Sequence, residues 1–224
     1  MSTVAICQSN YIPWKGYFDL IQRSDYFVFY DIVQYTKNDW RNRNKIQTAA
    51  GPQWLTVPVQ NQYLGQPINQ VKIADCAWQA KHWKTLQQNY YKAPYFSRYA
   101  NQIGAIYQKE WKYLSELNQE FITTLCNLLQ IKTKLVKAET LVMSDDRNQR
   151  LIDICHYFNA TDYLSGPAAQ SYLDIGLFKQ HGIEVQWMQY NHYQPYTQRY
   201  QPFEHAVSVL DLLFNTGPDA LTYL

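Results

Sequence analysis

The sequence predicts an α/β fold built on a mainly parallel sheet, with a helical insertion at about residues 78–130 and a small β-hairpin. Three observations carry this. Short β-branched and aromatic runs recur without polar alternation, the habit of strands covered on both faces. Segments of helical period lie between them. One long block of helical pattern then interrupts the strand series in the middle of the chain.

The elements follow in order. "TVAICQ" (Thr3 to Gln8) reads as a buried strand, and "SNYIPWKG" as a loop punctuated by Pro13 and Gly16. "YFDLIQRS" sets Phe18 and Ile21 on one helical side, and "YFVFYDI" (Tyr26 to Ile32) is the second strand, so the chain opens as a βαβ unit. Arg43 to Gln47 and Gln53 to Val59 flank "AAGP" and predict a hairpin. "QVKIA" (Gln70 to Ala74) reads as a further short strand. From Trp78 the pattern turns helical through Trp83, Leu86 and Tyr90. After Pro94 a longer core-facing pattern runs from Ile103 to Leu128, with an interruption expected near Ser115. The last third alternates again. "TKLVKA", "TDYLSG" and "VQWMQY" are strands, while "RNQRLIDICHYFN", "LDIGLFKQHG" and "HAVSVLDLLFNTGP" are helices, the last two stopped by Gly182 and by Gly217 with Pro218. No repeat or low-complexity linker divides the chain, and residues 1–224 are expected to form a single domain.

Composition narrows the function classes. At 224 residues and 46% hydrophobic, the chain can bury a substantial core. A net charge of +2 lacks the basic excess of a nucleic-acid binder. Four scattered cysteines form no CxxC and no Cys/His pair of zinc-ligand spacing, so no metal site is expected. Without a signal-like N-terminus or a run of about 20 apolar residues, a cytoplasmic protein with reduced thiols and no transmembrane segment is expected.

In an open, Rossmann-like parallel sheet, ligands sit beyond the carboxyl ends of the strands. Three loops leave such ends: "QSNYIPWKG", "DIVQYTKNDWRNRN" and "SGPAAQSYLD". They supply Gln8, Asn10, Asp31, Gln34, Lys37, Asn38, Arg41, Arg43, Ser165 and Gly166 as candidates for a polar ligand. If the chain from Arg41 to Gln47 is extended, Arg41, Arg43 and Lys45 share one face and could clamp a phosphate or carboxylate. A solvated edge strand, charged against edge-to-edge pairing, accounts for them equally well. Ser165 and Gly166 could offer a hydroxyl and backbone N–H groups at a helix start to an anionic oxygen, or simply cap that helix. His192, after a strand and before a Pro-containing loop, is the candidate for proton transfer, with Asp31 at a strand end as a second candidate base. GxGxxG, GxxxxGK[ST] and GxSxG are all missing, and with them those nucleotide-binding and Ser-hydrolase signatures.

These pieces, taken in order over nearly the whole chain, resemble the WbqC-like family of bacterial proteins. The resemblance rests on "QSNYIPWKGYFDLI", "DIVQYTKNDWRNRNKI", "WLTVPV", "KHWKTLQQNYYKAPYF", "YLSGPAAQSYLD" and "SVLDLLFNTGP". It departs at Ser9, where proline is usual, and at Asn148, where threonine is more common. The resemblance implies a place in O-antigen or other surface-polysaccharide biosynthesis, and a transferase that moves a glycyl or other aminoacyl group onto a sugar. In that setting Lys37, Arg41 and Arg43 would hold a donor phosphate or a nucleotide-sugar diphosphate. Asn10, Gln34 and Asn38 would orient sugar hydroxyls, and His192 or Asp31 would take the acceptor proton. The expected partner is a phosphorylated or nucleotide-linked small molecule, together with a possible partner enzyme of glycan biosynthesis; the sequence names no cofactor. The opening strand-loop-helix is also similar to that of nucleotidyltransferases, although both motif histidines are replaced, near Lys15 and Tyr17. A non-catalytic protein that binds a glycan precursor or nucleotide is the alternative reading.

Overall fold

The computed structural model describes residues 2–60 and 65–224. Five short strands form one all-parallel sheet: β1 (Thr3–Cys7), β2 (Tyr26–Phe29), β5 (Lys134–Lys137), β6 (Asp162–Ser165) and β7 (Glu184–Trp187), in the order β5-β2-β1-β6-β7. Two further strands, β3 (Arg43–Thr48) and β4 (Gly51–Thr56), pair as a separate antiparallel hairpin.

The strands are short and apolar because both faces of the sheet are covered. Along β1 and β2 the side chains alternate between two cores. Val4, Ile6 and Val28 face α5 (Arg147–Tyr157) and α6 (Ile175–Gln180), where Leu151, Ile154 and Phe178 meet them. Ala5, Phe27 and Phe29 face α1 (Lys15–Gln22) and the helices of the insertion. Phe18, Ile21 and Phe27 are fully enclosed there. Each such side chain contributes about 1.5–3 kcal/mol relative to an exposed one.

The chain from β2 to β5 carries the hairpin and three helices, α2 (Ala77–Tyr90), α3 (Phe96–Gln108) and α4 (Leu114–Leu128). The expected long helical pattern is thus two helices, parted at 109–113. The break has a local cause. Gln79 from α2 donates its side-chain N–H groups to the carbonyls of Tyr107 and Lys109, at 3.0 and 2.6 Å, and the Trp111 indole donates to Ile106 at 2.9 Å. These bonds satisfy the carbonyls at the end of α3 and stop it. Ser115 is buried as the second residue of α4 rather than marking the interruption. The strand expected over Gln70–Ala74 does not form. A 3-10 turn at Ile68–Gln70 precedes it, and the segment pairs only singly, Ile73 with Val59 and Lys72 with Tyr113. The final helix, α7 (Val209–Thr216), packs on α3 and β3.

Candidate functional site

β1 is the pivot of the sheet. The chain leaves it toward β2 on one side and pairs with β6 on the other, which makes the gap beyond Cys7 and Ser165 the point where strand order reverses. Crevices at such a point are the favoured ligand sites of open parallel sheets. Here it holds a cleft of about 880 Å³. Its floor is the exit of β1, with Cys7, Gln8 and Asn10; its walls are Gln34 with Trp40 and Arg41, the start of α5, and the chain from Ser165 to Ala169.

The cleft is electropositive. Arg41, Arg147 and Arg150 line it, against the single carboxylate of Asp145. The guanidinium of Arg41, largely enclosed, donates to the Asn10 side-chain oxygen and to Asp39 Oδ2, the latter at 3.2 Å. Burial pushes Asp39 upward, yet hydrogen bonds from Thr36 and the Trp40 N–H, with the Arg41 charge, outweigh it and hold the carboxyl below the usual range. Arg150 is fixed by donating Nε to the Ser144 carbonyl at 2.9 Å and Nη2 to the Asp145 carbonyl at 2.8 Å. Arg147 lies 3.5 Å over the Tyr172 ring. Burial raises the Tyr30 hydroxyl, with Arg150 and Arg147 pulling against it. Burial likewise raises the Cys7 thiol. Trp14, Tyr30, Trp40, Tyr172 and Tyr190 add flat apolar surface to this charged frame.

The segment after β6 differs from the expected helix start. Gly166 leads into a 3-10 turn over Pro167–Ser171, and α6 begins only at Ile175. Ser165 is buried and donates to the Tyr163 hydroxyl at 3.3 Å.

Of the residues singled out in the sequence, the fold brings Gln8, Asn10, Gln34, Arg41, Ser165 and Gly166 together around the cleft. The others lie elsewhere. Lys37 and Asn38 sit in an exposed turn, where Asn38 adopts a φ of 59° and its carbonyl accepts from Arg43. The three-cation face is not formed, because β3 begins at Arg43 and Arg41 still belongs to the turn before it. Arg43 and Lys45 do share a face, but they spend it on the Trp54 ring, at 4.4 and 5.1 Å. Asp31 is fully buried and accepts from the Ser9 N–H and from Gln119, at 2.7 and 2.9 Å, so it positions the β1 loop instead of meeting solvent. His192 stands 4.0 Å from the buried Asp19 carboxylate, in a separate depression with Arg23 and Met188.

Sequence reading missed Arg147 and Arg150. Their signal was the spacing in "DDRNQR": Asp146 caps α5 by accepting from the Asn148 and Gln149 N–H groups, and cations three apart share a helical face. Among the described residues no group of His, Cys, Asp and Glu could hold a metal ion, and no helix is long and apolar enough to cross a membrane.

Comparison with known proteins places these features in a wider set. The model of the WbqC-like protein family matches residues 8–223. A protein of Mycobacterium tuberculosis described as uncharacterized is 45% identical over 226 residues, spanning 100% of this chain and 98% of its own length. No solved structure gives a significant match.

Proposed function

We propose, from the premise that the chain belongs to the WbqC-like protein family, that it binds a phosphorylated or nucleotide-linked small molecule in the switch-point cleft and acts on it as a transferase. The setting would be bacterial surface-polysaccharide (O-antigen) biosynthesis in the cytoplasm, with one domain over residues 1–224, and the reaction a glycyl or other aminoacyl transfer to a sugar. The observation that carries the reading is the meeting of Arg41, Arg147 and Arg150 in one cleft beyond β1 and β6.

Guanidinium groups fork onto phosphate in bidentate fashion, and two of these three are already oriented by neighbouring oxygens. Gln8 and Gln34 supply amides for hydroxyl or carbonyl groups of the same ligand. In a group transfer the cations would stabilise charge gathering on a departing phosphate or on an acyl oxygen. Proton transfer has less support. No imidazole lines the cleft, and the Cys7 thiol and Tyr30 hydroxyl are both pushed toward their neutral forms. Catalysis here would rest on positioning and charge. The same observation favours the second reading, a non-catalytic protein that binds a glycan precursor or nucleotide and presents it to a partner enzyme.

The test is thermal unfolding of wild type and Arg41→Ala/Arg150→Ala with ATP, CTP, nucleotide sugars, acyl-CoAs and glycine. A ligand at about 100 times its Kd stabilises by about 2.7 kcal/mol. For a chain of this size that raises Tm by roughly 5–11 °C. A rise with one class that vanishes in the double variant supports the cleft as an anion site; no rise with any compound rejects it. Turnover of the bound class then separates transferase from binding protein.

A further inference from the structure

Two tryptophans at and beside the cleft remain part-exposed to solvent. Trp40 and Trp54 are 42% and 41% exposed, although indole is among the most favourable groups to bury. They come from different elements, the turn before β3 and the strand β4, and their rings lie 5.5 Å apart at 35°. Trp54 has cations packed on its ring. Arg43 and Lys45, across the hairpin on β3, pack on its ring, and Lys45 is its register partner.

The pair joins two hollows. Trp40 lines the switch-point cleft, and Trp54 lines a second depression of about 340 Å³ between β4 and α2. The second hollow has a different chemistry. Gln53, Thr56, Thr85 and His82 line it with neutral hydrogen-bonding groups, while Asp75 and Lys81 cancel in charge. His82 is kept neutral at physiological pH, since burial lowers it to about 4. Its Nδ1 is engaged 2.9 Å from the Tyr11 hydroxyl, itself 2.7 Å from that of Tyr107.

We propose that Trp40, Trp54 and the hollow behind Trp54 form a carbohydrate-binding platform that seats a sugar chain beside the anion cleft. A pyranose ring has one face of C–H groups and a rim of hydroxyls. The negative face of an indole attracts the weakly positive C–H groups. Hydroxyls that donate and accept find matching amide, hydroxyl, carboxylate and imidazole partners in a hollow without net charge. An anionic ligand has no reason to prefer this hollow over the neighbouring cleft with its three guanidinium groups. The platform deepens the transferase reading and rests on it only for what the sugar meets at the cleft end.

The experiment measures saccharide binding to the full chain by saturation-transfer NMR and calorimetry. The probes are the methyl glycosides of glucose, galactose, N-acetylglucosamine and glucuronic acid, with maltotriose and chitotriose. At least one is expected to bind, with Kd weakened about tenfold or more in Trp54→Ala and largely recovered in Trp54→Phe. Circular dichroism checks that both variants fold. Nucleotide-induced Tm rises should persist in Trp54→Ala, because Trp54 is not part of the cleft lining. No saccharide binding up to about 20 mM, or a Kd unchanged in Trp54→Ala, overturns the platform. Saccharide binding that depends on Trp54, without any nucleotide response, would reject the cleft reading and leave the platform standing.

Discussion

The backbone N–H of Ser9 donates to Asp31 Oδ1 at 2.7 Å, which helps tie the loop leaving β1 to the end of β2. The other oxygen of Asp31 accepts from Gln119 of α4 at 2.9 Å. A proline at position 9 would have no N–H to give. Burial raises Asp31, against the pull of those hydrogen bonds, so folding makes this carboxyl harder to ionise. Gln119 Oε1, buried without a partner, is the acceptor a protonated Asp31 would use once the amide turns over.

Asp31→Ala is therefore expected to lose about 2–4 kcal/mol, since it strands the Ser9 and Gln119 donors. Asp31→Asn keeps an acceptor and supplies the donor. The folded pKa lies above the unfolded one, so native protein binds the extra proton between the two. Wild-type stability then falls as pH rises from about 4 through the folded value, and Asp31→Asn should lack that decline. Urea unfolding of both proteins between pH 4 and 9 checks it; parallel curves would refute a raised Asp31.

Arg41→Ala and Arg150→Ala should each weaken a phosphate-bearing ligand by about 10- to 100-fold, the loss of one charge-assisted hydrogen bond or two. Lys37→Ala, Arg43→Ala and His192→Ala should leave that affinity within about twofold, because none of the three lines the cleft. Calorimetry on the five variants separates the observed grouping from the one the sequence pattern suggests.

His82 should confer an acid-sensitive stability. Its folded pKa of about 4 lies below the usual value of 6.5, so the unfolded chain takes up the proton first. The contribution is fully present above about pH 6.5 and is lost as pH falls toward 4, by up to about 3 kcal/mol. His82→Gln is expected to be less stable at pH 7.5 but flatter over that window in denaturant titrations. An unchanged slope would show that His82 is not held neutral.

Two glycines should separate stability from binding. A Cβ at Gly217, where φ is +59°, would lie 2.4 Å from the Tyr95 ring, so Gly217→Ala is expected to cost about 1–3 kcal/mol and leave cleft affinity intact. A Cβ at Gly16 would lie 2.3 Å from the Trp14 ring, which lines the cleft. Gly16→Ala should thus lower both Tm and ligand affinity; a loss of Tm alone would mean that Trp14 yields without entering the cleft.

The parallel sheet was legible because its strands are buried on both faces and their apolar runs admit few other readings. The hairpin was legible from its turn residues. The break between α3 and α4 was not, since it depends on Gln79 of another helix reaching carbonyls 28 and 30 residues away. Half of the cleft could be read from loops that leave strand ends. Arg147 and Arg150 escaped because they sit on a helix that sequence alone does not aim at the sheet. Asp31 and His192 look reactive in the sequence, yet one is sealed under α4 and the other belongs to a different hollow.

The pairing of Thr3 with Asp162, and the register that follows from it, has a consequence for the order of events in synthesis and folding. β1 and β2 close a short loop and can pair early. β6, the other wall of the cleft, must reach β1 from the far end of the chain, after the entropy of closing a loop of more than 150 residues has been met. A nascent chain released before Ser165 would lack the Ser165–Ala169 wall of the cleft. A ligand response of the cleft is thus expected only once β6 has paired with β1.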